Sequence, residues 1–213
     1  MQPHRNPPLF LFDLDETLIG RDYSLNVEER SLREAFRRAI ANGAVLGLNS
    51  DTPTRSLKEK YTRWGMNGPI VAERGAEILT QAGETVDLAS PAGEFTKLRD
   101  RFAHVFSQRD DVSLRFAHAW DLDETVAQAR PDQRLVVINP YRQRSLSFWA
   151  RRGGSSGAAA MDFPLLQEMV TVLMSLIASE FPALRQNLDD PLDVNPDYCI
   201  AVIHSAALRR PTP

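Results

Sequence analysis

Asp13 and Asp15 stand two residues apart, just after the apolar run Leu9 to Phe12 and just before Thr17. In an extended chain, residues at that spacing share one side. Two close carboxylates repel unless a cation or a proton lies between them. Such a pair therefore suits metal binding, or a nucleophile working beside a general acid. The plainer alternative is a turn whose Asp and Thr side chains cap backbone groups. Pro7-Pro8 followed by Leu9 to Phe12 predicts a buried parallel strand. Open α/β sheets bind ligands outside the carboxyl ends of such strands, which is where both acids fall.

The elements that must hold these acids are legible in the hydrophobic pattern. A helix is predicted from near Asn26, with Glu28 and Glu29 in its first turn and Leu32, Ala35, Phe36, Ala39 and Ile40 on one face. Ala44 to Leu48 reads as a second buried strand. The polar loop 49–53 leads into a helix carrying Leu57, Tyr61 and Trp64, and Pro69 to Ala72 reads as a third strand. Alternating strands and helices of this kind build a parallel sheet with right-handed crossovers.

The pattern changes near Gly83. Ser90-Pro91 predicts a helix start, and Val112 to Phe116 a half-exposed strand. A short helix is expected from about Asp123, then an antiparallel hairpin of Leu135 to Asn139 and Ser145 to Ala150. Residues 153–160 read as a flexible small-residue loop. A long amphipathic helix follows over Asp162 to Glu180, and a last strand over Asp197 to Ile203. The chain thus reads as α/β: a partial, Rossmann-like parallel core over residues 1–82, then an α+β domain with antiparallel strands over 83–213.

The 213 residues, 43% apolar and 25% charged, suit a globular chain, and the net charge of −3 gives no general attraction to nucleic acid or membrane. The apolar helix Leu165 to Ile177 carries Gln167 and Glu168 and is too short to span a bilayer. Cys199 is the single cysteine; it excludes an internal disulfide and reads as a buried small apolar residue in a reducing, cytoplasmic setting.

The apolar strand followed by Asp13, Leu14, Asp15, Glu16 and Thr17 resembles the first motif of the haloacid dehalogenase (HAD) superfamily, mostly Mg²⁺-dependent phosphatases. The resemblance implies that Asp13 attacks phosphorus to form an aspartyl-phosphate. Asp15 would protonate the leaving oxygen and then activate water. Both acids would lie at a Mg²⁺ site. Ser50 matches the second motif, a hydroxyl that binds phosphate, and Thr17 would join it. Read from the residues alone, Ser50 could instead cap the next helix.

The order of elements resembles the HAD branch with a large α/β cap inserted after the third core strand, which includes many sugar-phosphate phosphatases. Residues 68–76 look like the exit from the core. The hairpin over 139–148 looks like the Arg-rich cap strand of mannosyl-phosphoglycerate phosphatases. The resemblance thus implies a small phosphorylated substrate, met by Arg142, Arg144 and Arg74. Arg74 could instead pair with Glu73 or Glu77.

The chain departs from the family in three places. Ser50-Asp51-Thr52 stands where the branch has Thr-Gly-Arg, so an acid replaces a cation, and Asp51 has the type to cap the following helix. Arg74 stands where the branch has Asn. The family's third motif, a Lys or Arg, and its fourth, an acidic pair, have no clear match. Arg209 and Arg210 lie in the tail, and Asp189, Asp190 and Asp193 read as a solvated loop. The expectation is therefore a core without its C-terminal strands. Alternatives are a non-catalytic binding module, or a core whose open edge is covered by a homo-oligomer or a partner chain. A second Asp-Leu-Asp-Glu-Thr, Asp121 to Thr125, follows no apolar run and reads as a helix start. His104 and His118 show no metal-ligand spacing.

Overall fold

The structure, a computed structural model, describes residues 6–20, 24–88, 93–186, 192–195 and 200–204. The chain divides into two compact units, Met1–Leu88 and Ala89–Pro213.

In the first unit, β1 (Leu9–Asp13), β2 (Val45–Asn49) and β3 (Ile70–Ala72) pair in parallel, in the sheet order β1-β2-β3. Two short antiparallel strands, β4 (Glu77–Leu79) and β5 (Thr85–Asp87), extend the sheet beyond β3; the sequence pattern does not mark them. Helices α1 (Glu29–Ala41) and α2 (Thr54–Trp64) bury Leu32, Phe36, Leu57 and Trp64 with Leu46, Leu48 and Ile70. Gly65 ends α2 in the left-handed region at φ 70°, the conformation glycine adopts at no steric cost. The Tyr61 hydroxyl then donates to the Gly68 carbonyl at 2.8 Å and ties the helix to the strand that follows. Within β2, a Cβ at Gly47 would lie 2.2 Å from the Pro69 carbonyl oxygen, so only glycine lets this connection pass so close.

One expectation about β1 is overturned. It is parallel, but it is not buried: Leu9, Phe10 and Leu11 are 53, 50 and 45% exposed. The reason is positional. β2 pairs with one edge of β1, and no strand among the described residues pairs with the other. Phe12 is half-buried, its ring 5.1 Å from that of Phe36. The apolar run therefore predicted the strand correctly but not its surroundings.

The second unit is a five-stranded sheet in the order β6-β7-β8-β10-β9. It consists of β6 (Val112–Phe116), β7 (Arg134–Ile138), β8 (Ser145–Arg152), β9 (Leu192–Asn195) and β10 (Ile200–His204), antiparallel except for β6 with β7. Helices α3 (Glu94–Ser107) and α5 (Phe163–Ser179) cover one face, closing a core around Phe95, Phe102, Phe148, Leu165 and Met169. On the opposite face α4 (Leu122–Ala127) packs Leu122 and Val126 onto Leu135, Val137 and Trp149. Alternate residues of β7 and β8 thus point to two different apolar clusters, and both strands are buried almost throughout. A short helix, α6 (Pro182–Gln186), follows α5.

Asp162 caps α5, its Oδ1 accepting the Leu165 N–H at 3.0 Å. Beside it, Arg134 reaches Glu168 at 2.7 Å and Asp111 at 3.0 Å, and Arg109 reaches Glu168 at 2.7 Å. These guanidiniums hold the Glu168 carboxyl below its usual range, Arg134 first and Arg109 next.

Residues 153–160 are not a free loop. Gly153 N–H donates to Gln133 at 2.8 Å, Gly154 N–H donates to Val126 at 3.0 Å, and a 3₁₀ turn spans Gly157–Ala160. A Cβ on Gly153 would sit 2.3 Å from the Arg130 carbonyl oxygen. The small residues here serve close backbone packing rather than freedom of motion. Asp193, expected in a solvated loop, lies in β9 opposite Val202. The second Asp-Leu-Asp-Glu-Thr does begin a helix, α4, with Asp121 at the cap position but without a side-chain cap. The helix start expected at Ser90-Pro91, the acids Asp189 and Asp190, Cys199, and Arg209 and Arg210 lie outside the described residues.

Candidate active site

β1 ends at Asp13, which sits in register with Asn49, the last residue of β2. Asp13 is exposed, and its Oδ1 accepts the N–H of Leu14 at 2.9 Å. Leu14 is fully buried and anchors the turn between the two acids. Asp15, half-buried, follows on that turn.

Ser50 continues from β2 and is only 4% exposed. Its Oγ accepts the Thr52 N–H at 3.0 Å and lies 3.1 Å from Asp15 Oδ2. A hydroxyl has one proton, and the Thr52 N–H already points into its lone pairs. The Ser50 O–H is therefore the donor to the Asp15 carboxylate. This corrects one reading of Ser50: it does not cap α2. Pro53 occupies the cap position there, with no side-chain cap.

The loop after β3 closes on the same place. Arg74 N–H donates to the Ser50 carbonyl at 3.3 Å, and Ser50 N–H donates to Val71 at 3.0 Å. Glu73 and Arg74 both have left-handed backbones, φ 48° and 60°, and Gly75 follows at 89°. Glu16, on the turn after Asp15, is also left-handed at φ 59°. Non-glycine residues in this region cost of order 1–2 kcal/mol each. Three of them flank the carboxyl ends of β1 and β3, where the surrounding packing must over-determine them.

The described structure thus brings together Asp15, Ser50 and the Arg74 backbone, with Asp13 at the adjoining strand end. Thr17 is exposed; its carbonyl accepts from Asn26 Nδ2 at 3.0 Å, and no hydrogen bond joins it to Asp13, Asp15 or Ser50. Arg142 and Arg144 belong to the other unit. Arg142 is buried there, its Nη1 donating to Ser145 Oγ at 2.9 Å.

Two residues escaped the sequence reading. Glu73 is an acid only 3% exposed, its backbone N–H directed to the Thr52 carbonyl at 3.4 Å. Its signal, an acid ending an apolar strand, was present but read as an exit from the core. Lys60 on α2 is half-buried, and desolvation pushes its ammonium below the usual lysine range. The carboxylates of Glu59, Asp15 and Glu29 partly counter that shift. Nothing in the spacing of Lys60 marks it as near Asp15, because the two are joined only by the packing of α2 on the sheet.

No group of three or more His, Cys, Asp or Glu able to hold a metal occurs among the described residues. Asp13 and Asp15 nonetheless fit a hard cation such as Mg²⁺, which takes one or two carboxylates from a protein and completes its shell with water and substrate phosphate.

No protein family matches the chain by its sequence pattern, and no curated protein matches it in sequence. Solved structures do match. A haloacid dehalogenase-like hydrolase from Bacteroides thetaiotaomicron shares 14% identity at a TM-score of 0.53, covering 93% of this chain and 71% of its own. The C-terminal domain of the trehalose synthase regulatory protein of Candida albicans shares 12% identity at 0.51, covering 96% of this chain and 58% of its own. A Thermotoga maritima protein shares 13% identity at 0.50, covering 93% and 69%. The fold is similar to that of the haloacid dehalogenase-like hydrolase: one sheet with parallel strands and a separate, largely antiparallel sheet. The chain spans between 58% and 71% of the length of these three proteins.

Proposed function

We propose that this chain is a phosphomonoester hydrolase acting on a small phosphorylated metabolite, a sugar phosphate. The observation that carries the reading is the hydrogen bond from Ser50 Oγ to Asp15 Oδ2, 3.1 Å long, beside an exposed Asp13 at the carboxyl ends of adjacent parallel strands. Asp13 attacks phosphorus as the bond to the leaving oxygen breaks, and Asp15 gives that oxygen its proton. Water then attacks the aspartyl-phosphate, Asp15 takes its proton, and Asp13 is restored. Ser50 orients Asp15 in the free protein and turns its hydroxyl to a phosphoryl oxygen when substrate is present, joined by Thr17. Arg74 meets the substrate anion, and the second unit, Ala89–Pro213, serves as the specificity cap. Mg²⁺ held by Asp13 and Asp15 would neutralise charge between nucleophile and phosphate. The test is steady-state phosphate release from a panel of sugar phosphates, with and without Mg²⁺. Turnover that needs the metal and disappears in Asp13→Asn is expected; equal background from both proteins would rule the activity out.

The exposure of Leu9, Phe10 and Leu11 favours a second reading, in which another polypeptide, either a second copy or a partner chain, covers the edge of β1 and completes the core. The chain alone would then bind without turning over. A clean monomer by sedimentation, with full activity, argues against it. The lone Cys199 suits a cytoplasmic setting, and no helix among the described residues is long and apolar enough to cross a membrane.

A further inference from the structure

The first unit also carries a groove along α1, and none of Asp13, Asp15 and Ser50 lines it. It has a volume of about 810 Å³ and is lined by Arg30, Arg33 and Arg37 on α1 with Arg63 and Trp64 at the end of α2. Positions 30, 33 and 37 follow i, i+3, i+7 spacing, so the three guanidiniums stand on one flank of the helix.

Two carboxylates also line the groove, and both are already engaged. Glu29 takes a two-pronged contact from Arg63, with Nε to Oε1 at 2.6 Å. Glu34 pairs with Arg38, which does not line the groove, at 3.6 Å. Arg30, Arg33 and Arg37 make no hydrogen bond or ion pair among the described residues. Four arginines and two glutamates thus line the groove, which leaves it net positive. The field reaches Glu29, whose carboxyl is held below its usual range by Arg63 first, with Arg33 and Lys60 contributing. Arginine's planar fork suits paired contacts to phosphate oxygens better than lysine does. The volume falls within the range of small-molecule sites.

We infer that the groove between α1 and the end of α2 binds a small polyanion, a ligand carrying two or more phosphate groups, through Arg30, Arg33 and Arg37. The inference stands apart from the proposed hydrolysis, because its residues are not those of the candidate active site.

Calorimetric titration of the full chain with inorganic tripolyphosphate at low salt tests it. The expected result is one-to-one binding, weakened about tenfold or more in Arg33→Gln/Arg37→Gln, weakened by added salt, and unchanged in Asp13→Asn and Ser50→Ala. All three arginines are exposed and Gln keeps helix propensity, and an unchanged far-ultraviolet circular dichroism spectrum verifies that the double variant folds. No binding, or binding that survives the double variant, overturns the inference. Loss of binding in Asp13→Asn or Ser50→Ala instead would place the anion at the candidate active site. A single-stranded oligonucleotide that binds more tightly than tripolyphosphate, with several proteins per strand, would assign the face to nucleic acid and also overturn it.

Discussion

β1 is almost wholly apolar and β8 is half polar, yet β8 is the buried one. In β8, every residue from Ser145 to Arg151 is buried between two apolar clusters; in β1, Leu9, Phe10 and Leu11 stand about half exposed at the edge of their sheet. Backbone strain follows a similar division. Among the described residues, three of the four left-handed non-glycine residues, Glu16, Glu73 and Arg74, lie in the first unit around Asp15 and Ser50, and Asp132 lies in the second. The second unit spends its polar side chains on bracing, as in the pairing of Arg109 and Arg134 with Glu168. The first keeps strained turns beside Asp15 and Ser50 where a reaction could use them, which is how function commonly sits on a scaffold.

Core truncation gives the largest test of this contrast. Phe148→Ala should cost about 3–5 kcal/mol in chemical denaturation, whereas Phe10→Ala should cost under about 1 kcal/mol. Comparable losses at the two positions would mean that something covers β1 in solution. Ser50→Ala should next lower phosphate release about 10²-fold with little change in stability. It should also shift the pH profile of turnover, since Asp15 loses its hydrogen-bond donor. An unaltered profile would remove Ser50 as the group that orients Asp15.

Smaller effects sharpen the same division. Arg74→Gly should stabilise the first unit by up to about 1 kcal/mol, because glycine adopts φ 60° without strain. The same change should raise KM for a phosphorylated substrate, and a gain in stability with KM unmoved would leave Arg74 without a role in binding. In the second unit, Glu168 is held below its usual value of 4.5, so its contribution is complete above that pH and is lost as pH falls through the lower folded value. Glu168→Gln should therefore flatten the acid limb of the stability curve. At neutral pH it should cost under about 1 kcal/mol, because its ion pairs are partly exposed and screened.

The strands and helices that position the candidate site were legible because hydrophobic period follows secondary structure. α1, α2, β2 and β3 lie within a few residues of their expected places. The short strands β4 and β5 were not legible, since three-residue segments carry too little period to register. Asp13 and Asp15 announced themselves by spacing. Glu73 and Lys60 did not, because their proximity to the site comes from loop closure and helix packing rather than from any motif.

Taken alone, the sequence determined that a parallel strand runs into two acids and that a hydroxyl follows the next strand. Both are local consequences of side-chain alternation and of an apolar run meeting polar residues. Only the tertiary structure decided that Ser50 donates to Asp15 instead of capping α2, because residues 35 positions apart meet only when β1 and β2 pair. It also decided that β1 is exposed. An apolar run records that a strand can be buried; whether it is buried depends on what packs against it, and β1 has β2 on one edge and no strand on the other among the described residues.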